Sequence, residues 1–218
     1  MVLRVLLCNC LIAAVLFDAH AASARPTRIV VLGDSLVAGF QLKSSDAFPA
    51  QLERALKARG HSVEIINAGV SGDTTAGGLE RLTWAVPQET DAVILELGAN
   101  DALRGLDPAR AKANLDKIIS ELKSSGAEVM LAGMLAPRNL GGAYSSAFDA
   151  IYPELAKKHA LILYPFFLEG IALDAQLNLG DGIHPNSSGV AEITRRILPA
   201  VEQLIERVRK KQAAASKG

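Results

Sequence analysis

The run Ile29-Val30-Val31-Leu32-Gly33-Asp34-Ser35-Leu36 constrains this chain more than any other stretch. Apolar, mostly β-branched residues follow one another without alternation and then stop at a glycine, an acid and a serine. Continuous hydrophobicity marks a strand covered on both faces, as in a parallel sheet between layers of helices. The carboxyl end of such a strand lies at the sheet edge where ligands of open α/β folds bind. Gly33 gives the backbone freedom to hold Ser35 exposed there. Ser35 is therefore a candidate nucleophile, or else the cap of a following helix.

Four further runs of strand character follow, at residues 63–68, 92–97, 128–132 and 161–163, and helical periods separate them. Phe48, Leu52, Ala55 and Leu56 share one face ahead of Gly60. Residues 74–82 form a second helical segment. Asp107-Pro108 reads as an N-cap with proline at the first helical position, and the stripe Ala111, Leu115, Ile118, Ile119 and Leu122 follows it to Gly126. Residues 145–159 are expected to be helical, with Pro153 kinking or dividing them. The last helix runs from about residue 187 toward 209, with Val190, Ile193, Ile197, Val201, Leu204 and Val208 inward and Pro199 as an interruption. This alternation predicts an α/β fold, a three-layer sandwich whose five-stranded parallel sheet is covered by helices on both faces.

Residues 1–24 read as a leader. Arg4 precedes an apolar stretch of about 13 residues, short of the ~20 that a membrane-spanning helix needs. Ala19-His20-Ala21 and Ala22-Ser23-Ala24 then offer two cleavage sites, as in a secretory signal peptide. A periplasmic or secreted protein with no membrane anchor after cleavage is expected. The remaining residues, 25–218, roughly 195 in number, suffice for one core and one domain. Cys8 and Cys10 are the chain's two cysteines, and both leave with the leader, so no disulfide or thiol catalysis is available afterwards. The formal net charge is zero, and nothing advertises a nucleic-acid partner. The basic cluster Arg207, Arg209, Lys210 and Lys211 suits a helix C-terminus.

Three clusters fall beyond strand ends. Asn67-Ala68-Gly69-Val70-Ser71-Gly72-Asp73-Thr74 combines glycines that let a backbone approach a ligand with the free N–H groups of a helix start, and it keeps Ser71 as a rival nucleophile. Glu96-Leu97-Gly98-Ala99-Asn100-Asp101 offers in Asn100 an uncharged donor for an oxyanion, or else a turn residue. Asp101 is read as a cap for the segment after it and receives no chemical role. In Gly180-Asp181-Gly182-Ile183-His184-Pro185-Asn186, the acid three residues before the histidine can fold back onto the imidazole and hold one tautomer. His61 and His159 lie in less suggestive surroundings. The 33–39 turn lacks the G-x-G-x-x-G spacing of a dinucleotide site.

In this order the four blocks resemble those of the SGNH, or GDSL, hydrolase family over nearly the whole chain after the leader. Gly33-Asp34-Ser35-Leu36 is similar to the family's nucleophile block, Gly72 to its glycine, Asn100 to its asparagine, and Asp181 with His184 to its acid and base. The resemblance implies a flavodoxin-like fold, prefers Ser35 over Ser71 as nucleophile, and assigns the triad Ser35, His184 and Asp181. It also implies an oxyanion hole made by the N–H groups of Ser35 and Gly72 and the Asn100 amide. Ile151-Tyr152-Pro153-Glu154-Leu155-Ala156-Lys157 and Tyr164-Pro165-Phe166-Phe167 resemble the bacterial, typically periplasmic branch of arylesterases, acyl-CoA thioesterases and lysophospholipases. Ala99 departs from relatives that often carry glycine or a small polar residue there. The expected partner is a small acyl ester or thioester, with no cofactor or metal and a monomeric chain. Alternatives are an acetyl esterase acting on carbohydrate, a non-catalytic binding domain, and a metal-dependent phosphoesterase, which would need clustered histidines.

Overall fold

The computed structural model describes residues 25–216, so the leader read at residues 1–24 lies outside the described residues. Five strands, β1 (Thr27–Gly33), β2 (Val63–Gly69), β3 (Ala92–Glu96), β4 (Glu128–Ala132) and β5 (Ile162–Tyr164), form one sheet in the order β2-β1-β3-β4-β5. Every neighbouring pair is parallel, as the unbroken apolar runs require. Ile29, Val30, Val31 and Leu32 of β1 and Ala92 to Leu95 of β3 are fully buried. The chain steps from β1 to one side for β2 and then to the other for β3. This reversal places the topological switch point, where open α/β sheets bind ligands, between the carboxyl ends of β1 and β3.

Two groups of helices cover the sheet. α1 (Ser35–Ala38), α2 (Phe48–Ala58) and the C-terminal helix α9 (Ser187–Ala215) form one, with α2 and α9 packed on each other and on the strands. The other contains α3 (Thr75–Glu80), α4 (Leu82–Ala85), α5 (Ala99–Leu103), α6 (Pro108–Ser124), α7 (Gly142–Asp149) and α8 (Ile151–His159), with α6 touching α3, α5, α7 and α8. α6 begins as its sequence dictates, with Asp107 accepting the Ala109 N–H and Pro108 in the first turn. Its stripe from Ala111 to Leu122 is buried.

Three local expectations are refined. The segment around 74–82 is two short helices that meet at Arg81, rather than one. The 145–159 segment is divided at Ala150, upstream of Pro153. Pro153 sits in the first turn of α8, where no N–H is required, and its ring would meet the carbonyl of Asp149 if α7 ran on unbroken. Pro199, by contrast, does not interrupt α9, which continues across it to Ala215. Proline deprives the Arg195 carbonyl of its helical partner. Burial of Ile193, Ile197, Val201, Leu204 and Ile205 holds the helix together across that gap.

Pro199 is exposed, so its replacement disturbs no packing. Pro199→Ala restores one helical hydrogen bond and is expected to stabilise the fold by about 1–3 kcal/mol, read as a rise in denaturation midpoint. A lower midpoint would mean that proline's restriction of the unfolded chain outweighs the missing bond.

Candidate active site

The site is built at the carboxyl ends of β1, β2 and β3. β1 stops at Gly33, Asp34 caps α1, and Ser35 is its first residue. Gly33 has no positive φ, so the conformational freedom expected of it is not what it supplies. It supplies space: a Cβ there would collide with Val37 and lie 2.7 Å from the carbonyl oxygen of Glu96. The Asp34 carboxylate accepts the Leu36 N–H at 3.0 Å through Oδ1 and the Asn100 side-chain amide at 3.1 Å through Oδ2. One buried acid therefore ties the serine turn to α5.

Ser35 and His184 are 149 residues apart, yet Ser35 Oγ lies 3.0 Å from His184 Nε2. His184 Nδ1 lies 2.7 Å from Asp181 Oδ2. With Nδ1–H donating to the carboxylate, Nε2 is left as the acceptor for the serine hydroxyl. Asp181 Oδ1 accepts the N–H groups of Ile183 at 2.9 Å and His184 at 3.0 Å. These two backbone bonds, His184's first, and then the imidazole hold the Asp181 carboxyl down at about 2. The loop is pinned by Leu179 N–H donating to the His184 carbonyl at 2.7 Å. The Phe40 ring lies against the imidazole with centroids 4.4 Å apart, a contact the sequence analysis did not single out.

Gly72 occupies the third position of a turn closed by the Asp73 N–H on the Val70 carbonyl at 3.1 Å. Its φ of 82° is that of a type II turn, which favours glycine there. The Gly72 N–H has no acceptor among the described residues, while its carbonyl accepts from Arg104 at 2.8 Å. Ser71, the rival nucleophile, sits exposed in the same turn and bonds to no histidine or carboxylate among the described residues. Asn100 gives one amide hydrogen to Asp34 and keeps the other for a ligand. Asp101 does not cap the segment after it but receives donors from the start of α3, whose N-cap is Thr74. It accepts the Thr75 N–H at 2.9 Å and the Thr75 hydroxyl at 2.7 Å, which ties α5 to the helix that follows the Gly72 turn.

Glu96, at the end of β3, was missed as a site residue although an acid closing an apolar run was visible. It is fully buried, Oε2 accepts the Asp34 N–H at 3.4 Å, and Oε1 has no partner. Burial, and then the charge of Asp34, raise its pKa well above the carboxylate range. Burial likewise pushes Asp34 up to about 6, against the opposing bonds from Leu36 and Asn100. Near the site residues in the chain, Val70 in the Gly72 turn, Leu103 at the end of α5 and Ile183 beside His184 are exposed apolar residues. No three His, Cys, Asp or Glu side chains are grouped as metal ligands among the described residues.

A folded-state pKa above the unfolded value means that the folded chain binds more protons, so stability falls as pH rises from about 4. Glu96→Gln copies the neutral acid without the titration. The variant is expected to match the wild type near pH 4 and to exceed its melting temperature increasingly toward neutral pH. Parallel melting curves across that range would show that Glu96 is ionised in the fold.

The GDSL-like Lipase/Acylhydrolase family model matches residues 31–192. The chain is 44% identical to an arylesterase of Vibrio mimicus over 170 residues, covering 78% of this chain and 85% of that protein. It is 40% identical to the thioesterase 1/protease 1/lysophospholipase L1 of Escherichia coli over 173 residues, covering 79% of this chain and 81% of that protein. The crystal structure of TesA superposes with a TM-score of 0.77 at 36% identity, covering 81% of this chain and 99% of that one. Sheet order, serine turn and these matches agree, and the chain belongs to the GDSL-like lipase and acylhydrolase family of ester hydrolases.

Proposed function

We propose that this ester hydrolase cleaves acyl esters and thioesters through an acyl-enzyme on Ser35, with His184 as base and Asp181 as its orienting acid. The observation that carries this reading is the unbroken hydrogen-bonded line from Ser35 Oγ through the imidazole to Asp181, at 3.0 and 2.7 Å. His184 Nε2 takes the hydroxyl proton as Oγ attacks the carbonyl carbon. The oxyanion so formed accepts the N–H groups of Ser35 and Gly72 and the free amide hydrogen of Asn100. Collapse breaks the bond to the leaving alcohol or thiol, which takes the proton from His184. Water, deprotonated by the same nitrogen, then attacks the acyl carbon; the acyl–Oγ bond breaks, Oγ takes the proton back from His184, and the acid leaves. Every step uses the chain's own groups and water.

The exposed apolar side chains of Val70, in the Gly72 turn, of Leu103, on the helix that carries Asn100, and of Ile183, beside His184, suit an acyl or aryl group better than a sugar. An apolar acyl donor is accordingly the substrate class favoured over an acetylated carbohydrate. We assign the enzyme to the periplasm or to secretion on the leader at residues 1–24. Among the described residues no helix is long and apolar enough to cross a membrane.

Ser35→Ala is expected to abolish hydrolysis of p-nitrophenyl esters in a protein that still melts cooperatively, and a fluorophosphonate is expected to modify Ser35. Mass mapping of the label to Ser71 would reject the assignment. Asn100→Ala is expected to lower kcat by about two to three decades, or roughly 3–4 kcal/mol, at nearly unchanged KM. Equal turnover in variant and wild type would return Asn100 to a turn residue. Export from a bacterial host is expected to leave Ala22 or Arg25 as the first residue, and a periplasmic product beginning at Met1 would count against the leader.

A further inference from the structure

Arg81 stands where α3 meets α4, its side chain 7% exposed, and the reaction described above makes no use of it. A guanidinium withdrawn from water requires acceptors for its N–H groups. Nε donates to Asp73 Oδ2 at 2.6 Å, Nη1 to the Ala68 carbonyl at 2.8 Å, and Nη2 to the Gly33 carbonyl at 2.9 Å. Gly33 leads through Asp34 into Ser35. Ala68 closes on the end of β2, and Asp73 follows Gly72. One planar cation thus spans both pieces of backbone whose N–H groups are needed at the oxyanion. The fit on the Asp73 side is tight, because a Cβ on Gly77 would run into the Asp73 carboxylate.

We propose that Arg81 is a positioning residue of the hydrolytic reaction, whose guanidinium sets the spacing between the Ser35 and Gly72 amides so that both point at one oxyanion. The inference rests on the serine mechanism proposed above. Arginine is required in this role because three acceptors on three segments need a rigid fork, which the single ammonium of lysine does not provide.

A buried ion pair can serve stability or geometry, and the two separate experimentally. Removing one partner strands a buried charge and destabilises strongly, whereas replacing both partners by uncharged groups is often near neutral. Arg81→Lys, Arg81→Met and the double variant Asp73→Asn/Arg81→Met are compared, with active sites counted by complete fluorophosphonate reaction and turnover expressed per titrated site. Arg81→Met is expected to lose both melting temperature and turnover. The double variant is expected to regain melting temperature while its turnover per site stays roughly 100-fold low at nearly unchanged KM. Affinity for a boronic acid, which forms a tetrahedral adduct with serine, should fall with kcat/KM. Arg81→Lys should show the same kinetic signature in milder form, and it decides the matter if the methionine variants do not fold. Wild-type turnover per site in Arg81→Lys or in the double variant would overturn the proposal. A wild-type protein that no fluorophosphonate titrates would instead defeat the serine mechanism itself.

Discussion

The site depends on the burial of one carboxylate, that of Asp34. An acid with no exposure is tolerated only with donors around it, and the donors Asp34 finds are the Leu36 N–H and the Asn100 amide. The first bond starts the helix that begins with Ser35, and the second fixes the Asn100 side chain, the proposed oxyanion donor. Satisfying this acid therefore assembles serine and amide in one step. Glu96, whose Oε2 accepts the Asp34 N–H, has its pKa raised by burial and then by the neighbouring Asp34 charge, so its burial disfavours a second charge there.

Rigid packing makes this arrangement durable. β1 is an interior strand paired on both sides, so the turn at its end is anchored by two ladders. Missing side-chain atoms matter as much as present ones. Gly33 leaves room for Val37 and the Glu96 backbone, and Gly98, at φ 120°, leaves room for the Tyr152 hydroxyl. That hydroxyl donates to the Leu97 carbonyl at 2.9 Å, which holds the peptide just ahead of Asn100.

Much of this was legible in the sequence because it is local. The continuous apolar runs of β1 and β3, the Asp107-Pro108 start of α6 and the i, i+3 spacing of Asp181 and His184 each carry their physical cause within a few residues. The relations that were not legible are those between segments. Nothing near Arg81 says that it reaches carbonyls on two strands, and nothing near Asp101 says that its donors are on Thr75. Pro199 misled for a related reason, since a local rule against proline in helices was outweighed by apolar burial along the whole of α9. Gly33 was read for flexibility where the structure uses its lack of a side chain, a distinction that only the neighbouring strand reveals.

The division of the hydrogen-bonded line between near and distant residues has a consequence for how the chain comes alive. Asp181 and His184 form their pair within one loop, and Asn186, two residues on, accepts the Ser188 and Gly189 N–H groups that start α9. The loop that leads into that last helix thus holds the imidazole 3.0 Å from the hydroxyl of a serine 149 residues earlier. In the mechanism proposed above, the five strands alone therefore leave the Ser35 hydroxyl without its base. That mechanism needs the chain at least as far as residue 184, beyond all five strands.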